Sequence, residues 1–183
     1  SDKIALSSNN YKGNNPCMFS VVRYGNVTSS RGSVIPLFEE KIQKKESITV
    51  TDINMTRFNI SLSDGVEMVL WSLKNAFGNE ILVPKINSYN LSDLIKALNI
   101  KKYKTIGVRP GEKIHEELIN IEESLSTIDI GKYYVVLQNR NDKKICNYYL
   151  QKFKRKFLKK QFSYNSDKAK KLSIKDIKFL IKK

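Results

Sequence analysis

Three short segments of the sequence set an arginine beside glycine or small polar residues: SSRGSVIP (29–36), TDINMTRF (51–58) and IGVRPGEKIHEEL (106–118). In the first, backbone amides at Gly32 and Ser33, placed at a helix start, offer donors to an anion, and Arg31 adds charge. In the second, Arg57 stands just ahead of a strand-like Phe58–Ser61, and in the third Arg109 follows a strand. Guanidinium groups suit a diphosphate, which is doubly charged and offers paired oxygens, so three arginines converging on one cleft would hold a nucleoside diphosphate. Taken singly, each arginine reads as a surface ion-pair partner before a ligand contact, and spacing alone does not bring the three together.

Other reactive residue types carry less. His115 is the one histidine, and as a catalytic base it would need a nucleophile or a metal beside it. It reads as a structural or surface residue at a helix start. Glu39-Glu40 and Glu116-Glu117 are adjacent carboxylates, which on a helix point different ways, so paired acid–base work is not expected. Trp71 reads as packing. Cys17 and Cys146 are far apart and form no metal-ligand spacing with His115, so no metal site is expected and both are expected as reduced thiols of a cytoplasmic protein. No Gly-x-Gly-x-x-Gly loop and no Gly-rich Lys-Ser/Thr loop is present. Tyr-x-x-x-Lys occurs only at Tyr148 and Tyr164, in a tail where lysine is frequent enough to produce it by chance.

The net charge of +15 invites a nucleic-acid reading. The excess is concentrated around Lys152, Lys154, Arg155, Lys156, Lys159 and Lys160, and reads as a solvated lysine-rich face rather than a groove. No apolar run approaches the roughly 18 residues that span a bilayer. No secretory pattern opens the chain, and Ser1 fits a processed, trimmed or incomplete sequence, so a targeting or membrane segment further upstream would not be seen.

These residues need elements to position them, and the pattern supplies alternating strands and helices. The first stretch, to Tyr11, reads as the tail of a helix, and a buried strand follows near Phe19–Arg23. Ser33 caps a helix in which Leu37, Phe38 and Ile42 repeat at helical spacing. Ile48–Val50 is a short strand. Ser63–Phe77 is the clearest helix, with Ser63 at its cap and an apolar stripe of Val66, Val69, Leu70, Leu73 and Phe77. Strands are expected at 80–86, 103–108 and Tyr133–Leu137, with helices at Ser92–Leu98, near Tyr148–Lys160, and at Ser173–Ile181. The class is α/β.

FSVVRYGNV (19–27), SSRGSVIP, TDINMTRF, EILVPKI (80–86) and RPGEKIHEEL (109–118) occur in an order and spacing that resemble the extended short-chain dehydrogenase/reductase superfamily. Within it the chain is most similar to the polysaccharide-biosynthesis 4,6-dehydratases, specifically the inverting UDP-N-acetylglucosamine enzymes. The likeness runs densely from Ser1 to about Leu118 and resumes weakly at YNSDKAKKLSIKDIKFL (164–180). It implies the C-terminal portion of an NAD(P)-binding Rossmann-type fold with its substrate-binding subdomain. Residues 1–120 would hold the last part of the Rossmann domain interleaved with the nucleotide-sugar subdomain, and residues 121–183 a basic extension closing with a helix.

By the same resemblance, the complete enzyme uses NADP to oxidise the sugar at C4, eliminates water across C5–C6 and returns hydride to C6. Inversion at C5 gives a 4-keto-6-deoxy sugar nucleotide for surface glycan or pseudaminic acid synthesis. The catalytic tyrosine, lysine and the dinucleotide loop would precede Ser1, so no catalytic residue is assigned here, and the chain alone is expected to be inactive. Carried over by position, Asn26 resembles a substrate contact and Val27 a cofactor neighbour. Arg31, Gly32, Ser33, Val34 and Ile35 match a loop that wraps the nucleotide. Thr51 and Arg57 match substrate contacts, with Arg57 suited to phosphate, and Arg109 and Glu112 match the Arg-Pro-Gly-Glu contact. The sequence departs from the family pattern at Ser29-Ser30 and at Asn59. A UDP-sugar substrate and a homo-oligomer are the implied partners, with no nucleic acid. A sister epimerase or reductase of nucleotide sugars and a basic nucleic-acid-binding protein are the alternatives. A Rossmann sheet without its first strands would expose an apolar face and make the chain poorly soluble or oligomeric.

Overall fold

A computed structural model of the chain describes residues 1–28, 30 and 32–181. In chain order the first elements are α1 (Asp2–Tyr11), β1 (Val21–Val22), β2 (Asn26–Val27), α2 (Val34–Gln43), β3 (Thr49–Val50), β4 (Thr56–Ile60) and α3 (Leu62–Asn75). Then follow β5 (Glu80–Pro84), β6 (Asn87–Asn90), α4 (Leu91–Ala97), β7 (Lys104–Thr105), β8 (Glu117–Ile119) and α5 (Ile121–Ser124). The last are β9 (Thr127–Asp129), β10 (Tyr133–Leu137), α6 (Lys143–Lys152), β11 (Tyr164–Asn165) and α7 (Ile174–Ile181). The expected α/β class holds.

The chain divides into two compact units, each assembled from three segments. One comprises Ser1–Tyr24, Val66–Lys85 and Leu118–Tyr164; the other comprises Gly25–Gly65, Ile86–Glu117 and Asn165–Lys183. Of the C-terminal part, Leu118–Tyr164 belong to the first unit and the closing helix α7 to the second.

The first unit is built on a four-stranded sheet in the order β1-β5-β10-β9, with β1 parallel to β5 and the other pairings antiparallel. Every residue of β5 is buried, which is why Glu80–Pro84 reads as a near-continuous apolar run. Leu82, Val135, Leu137, Ile128 and Met68 form its core with Ile145 and Tyr149 of α6. Arg23 fastens this unit. Its guanidinium donates from NH1 and NH2 to the two oxygens of Glu123, from NH1 to the Leu118 carbonyl, and from Nε to Asp2 at 2.6 Å. The hydrogen bond from Arg23 holds the Asp2 carboxyl below its usual range. Glu123 also closes a capping box with Asn120 at the start of α5.

Helix α3 stands at the expected place, but its cap and its buried face differ from the sequence reading. Ser61, not Ser63, caps it: Ser61 Oγ accepts from the Asp64 amide and donates to the Asp64 carboxylate. From Val66 on, Met68 and Ser72 are buried and Trp71 packs on Tyr133 at 4.5 Å. The apolar stripe of Val66, Val69, Leu70, Leu73 and Phe77 is exposed, Leu73 to 77%. The buried side is the one that makes the contacts: Trp71 also lies 6.0 Å from Phe153, and Ser72 Oγ donates to the Met68 carbonyl. The basic helix is also displaced, running Lys143–Lys152 and ending where Lys154 turns to φ 49°.

The second unit holds a three-stranded sheet, β2-β4-β6, and a parallel β3-β7 pair. Its core brings Ile35 and Phe38 of α2, Val50 of β3, Leu91, Leu94 and Ile95 of α4, and Ile177 of α7 together. Leu37 and Ile42, expected in the apolar face of α2, are exposed. Helix α2 closes with Lys45 at φ 55°, its amide bonded to Ile42 O and the next amide to Lys41 O; Asn99 closes α4 in the same way. The strand expected over 103–108 contracts to Lys104–Thr105, the length over which β3 offers partners.

Two measurements follow from the first unit. Replacing Leu70 and Leu73 by lysine should raise solubility and leave unfolding within about 0.5 kcal/mol of the parent, as for any exposed site. A collapse of the melting temperature would mean that these side chains are buried. Glu80 is fully buried, and its Oε1 accepts from Ser20 Oγ and from the amides of Phe77 and Gly78. Burial nonetheless pushes its carboxyl above the usual range. The folded chain thus holds this proton more tightly than the unfolded chain. The group's contribution is most favourable below the ordinary carboxylate pKa and is lost as pH rises through the raised value. Glu80→Gln should therefore melt higher than the parent at about pH 8, with the difference shrinking toward about pH 4; a gap that does not change with pH would contradict this.

Candidate functional site

The polar face of the β2-β4-β6 sheet is the floor of the site, and its register decides what meets there. Asn26 stands opposite Asn59, and Arg57 opposite Tyr89. Arg57 and Asn59, two apart on β4, point to one face of the sheet. Gly25 allows β2 to lie this close: a Cβ there would come within 2.2 Å of the Phe58 Cβ and 3.0 Å of the Phe58 carbonyl carbon. No side chain fits at that position without separating the two strands.

Two cavities open beside this floor, both within the second unit. One, of about 180 Å³, is polar and is lined by Asn26, Val27, Thr28, Ser33, Ile35, Asn59 and Tyr89. The other, of about 250 Å³, is lined by Leu37, Phe38, Val50, Thr51, Met55, Leu91, Ile106, Arg109 and Glu112. Gly32, Val34 and Arg57 line both. The residues carried over by position as substrate or cofactor contacts all line one cavity or the other, except Arg31, which lies outside the described residues.

Arg57 proves to be a fastener. NH1 donates to the carbonyls of Thr56 and Ile114 at 2.8 and 2.9 Å, and NH2 contacts Met55 Sδ at 3.1 Å. Glu112 lies 3.7 Å from NH2 and Glu116 3.9 Å from Nε. Most of its donors are therefore committed within the protein, and the charge it lends a ligand is shared with two carboxylates. Arg109 is different: it is exposed, and its guanidinium makes no hydrogen bond or ion pair among the described residues. It sits on a tight turn in which the Glu112 amide returns to Arg109 O at 3.0 Å. Pro110 supplies the fixed φ and Gly111 the φ of 82° that such a turn requires.

The remaining site residues are set by local chemistry. The Asn54 amide bonds Asp52 Oδ1, a turn that leads Thr51 past the cavity and into β4. Ser33 precedes α2 in extended conformation but does not cap it by its side chain; its Oγ is buried without a hydrogen-bond partner among the described residues. A buried hydroxyl on a cavity wall, beside a helix start, is open to a ligand oxygen. Tyr89 is buried, and burial first, then the nearby Glu116 charge, pushes its phenol well above the usual range, so it stays a donor. His115 is not at a helix start. It bridges to Thr56 in an extended segment, its Nδ1 2.8 Å from Thr56 Oγ1, which in turn is 2.7 Å from Ser166 Oγ.

Sequence reasoning missed Thr28, Asn59, Tyr89, Met55 and Glu116. Asn59 was visible as a departure from pattern, and here it faces the polar cavity. The others carried no local signal, because each gains its place through strand register or a distant contact. Among the described residues no cluster of His, Cys, Asp and Glu could hold a metal ion, and no helix is long and apolar enough to cross a membrane.

The sequence profile of the family described as polysaccharide biosynthesis protein matches residues 1–138. The chain is 45% identical over 139 residues to an inverting UDP-N-acetylglucosamine 4,6-dehydratase of Campylobacter jejuni, a match covering 74% of this chain and 41% of that protein. It is 35% identical over 185 residues to a UDP-glucose 4-epimerase of Rickettsia bellii, covering 98% of this chain and 54% of that one. Among solved structures, the X-ray structure of Pen from Bacillus thuringiensis superposes with a TM-score of 0.82 at 32% identity, covering 98% of this chain and 54% of that chain. The chain thus spans about half the length of the relatives it matches.

The account of Arg57 is open to a direct check. Arg57→Lys keeps the charge but cannot serve two carbonyls and a carboxylate at once, so urea unfolding should show a loss of about 1.5–3 kcal/mol. An unchanged midpoint would mean that the guanidinium is not a fastener.

Proposed function

Because the chain belongs to the polysaccharide biosynthesis protein family, we propose that it is the substrate-holding part of a UDP-N-acetylglucosamine 4,6-dehydratase that inverts C5. The product would be a 4-keto-6-deoxy nucleotide sugar for surface glycan or pseudaminic acid synthesis. The protein would work in the cytoplasm as a homo-oligomer, and this chain alone would be inactive. The observation that carries the reading is the meeting, in one unit, of residues 26–28, 32–35, 51–59 and 106–112 around two cavities, one of them lined by Arg109, whose guanidinium makes no hydrogen bond or ion pair among the described residues.

In this reading Arg109 takes the diphosphate charge, while Ser33 Oγ and the Gly32 amide take further oxygens; the Ser33 amide, expected from the sequence as a further donor, is already bonded to the Ser30 carbonyl at 3.0 Å. Thr51 and Glu112 receive hydroxyl or base groups, and Asn26 faces the sugar. The sugar would lie over the Asn26–Asn59 floor, held for oxidation and elimination by groups outside this chain. NADP would supply hydride acceptance and return. Of its contacts only Val27 belongs to this sequence, and one residue on a two-residue strand does not hold a dinucleotide, whose diphosphate needs a glycine-rich turn at a helix start. No step is therefore drawn through it.

A second reading, 4-epimerisation of a UDP-hexose, is favoured by the Rickettsia likeness, which extends through the basic segment after residue 138. The two share the diphosphate site and differ at the sugar.

The test is calorimetric binding of UDP to the chain. Arg109→Ala should weaken it tenfold or more, about 1.4 kcal/mol, with the unfolding midpoint unchanged. Equal binding by parent and variant would sink the assignment. Tighter binding of UDP-N-acetylglucosamine than of UDP-glucose favours the dehydratase, and the reverse order the epimerase.

A further inference from the structure

The Glu116 carboxylate occupies a position that the proposed site does not use. It lines neither cavity, and its two oxygens are divided between two strands. Oε2 accepts the Phe58 amide of β4 at 2.7 Å, and Oε1 accepts Asn26 Nδ2, on β2, at 3.1 Å. Arg57 Nε lies 3.9 Å from the same Oε1.

A carboxylate only accepts, so it fixes which end of the Asn26 amide faces it. Were the amide turned over, Oδ1 would stand against Oε1, acceptor against acceptor. The Asn26 carbonyl must therefore point away from Glu116. It makes no hydrogen bond among the described residues, and Asn26 lines the polar cavity. Asn59 shows what the floor lacks without such a partner. Its Oδ1 lies 3.1 Å from Thr28 Oγ1, a hydroxyl able to donate or accept, so its amide is free to take either sense.

We infer that Glu116 is a positioning residue that locks Asn26 with its carbonyl toward the cavity, so that this wall accepts a hydrogen bond from a hydroxyl or N–H of the sugar and rejects groups that can only accept. The inference deepens the nucleotide-sugar reading and rests on it for the identity of the ligand, though not for the orientation of Asn26.

Both parts can be tested on the 183-residue chain. In the 15N-labelled protein without ligand, the Asn26 side-chain amide pair, identified by its loss in Asn26→Ala, should move as Glu116 is titrated with acid. The same resonance should lose that movement in Glu116→Gln. A signal that does not respond to Glu116 in the parent overturns the inference without the Glu116 variant having to fold. In binding, Glu116→Gln presents an NH2 to Asn26 and turns its amide over, so affinity for UDP-N-acetylglucosamine should fall tenfold or more while affinity for UDP alone changes less than twofold. Adding Asn26→Asp to Glu116→Gln restores a donor–acceptor pair with an acceptor facing the cavity, and affinity should return to within threefold. Failure of that rescue, or equal losses for UDP and the UDP-sugar, would mean that Glu116 only supports the fold and would overturn the inference. A parent chain that shows the titration link but binds no UDP-sugar supports the orientation and removes the dehydratase reading instead.

Discussion

The guanidinium of Arg57 is spent on main-chain carbonyls of Thr56 and Ile114, with Glu112 and Glu116 drawn in around it. The 109–117 segment is thereby tied to β4. That segment carries Arg109 at one end and Glu116 near the other, so one side chain helps to fix both the exposed Arg109 and the Glu116 carboxylate. The strength of such a knot lies in its asymmetry. Making it gains modestly over water, whereas removing the arginine takes one donor from each of two carbonyls and leaves two neighbouring carboxylates without the positive charge between them.

Around that knot, the work divides between rigid floor and exposed contacts. The floor is held by strand register and by the absence of a side chain at Gly25, which admits β2 to within contact of Phe58. The exposed contacts come from turns: Pro110-Gly111 presents Arg109, and the Asp52 turn presents Thr51. A floor fixed by backbone pairing and a rim built of short turns suits a ligand with a fixed sugar geometry and a mobile diphosphate.

Much of this was legible in the sequence, for identifiable reasons. Ser33 before an apolar periodicity marked α2, and the β-branched and apolar run at 80–84 marked β5. The loops carrying Arg57 and Arg109 were marked by the residues flanking them. What failed was the choice of face. In α3 the most apolar stripe is exposed and the side bearing Met68, Trp71 and Ser72 is buried, because periodicity counts apolarity and does not measure ring contact. In α2 the same happened to Leu37 and Ile42. Glu116 could not have been found, since its role joins residues 26, 58 and 116 and exists only when three distant segments are folded together. The partners that hold Arg57 were hidden for the same reason: those on residues 112, 114 and 116 are long-range.

The central claim is that a fastened floor and the exposed Arg109 hold a nucleotide sugar. A crystal structure of the chain with UDP-N-acetylglucosamine tests it most directly. The account predicts the diphosphate against Arg109, the sugar over Asn26 and Asn59, and the Arg57 guanidinium still on the carbonyls of Thr56 and Ile114. A ligand bound away from these two cavities, or Arg57 released from its carbonyls to hold the diphosphate, would contradict it.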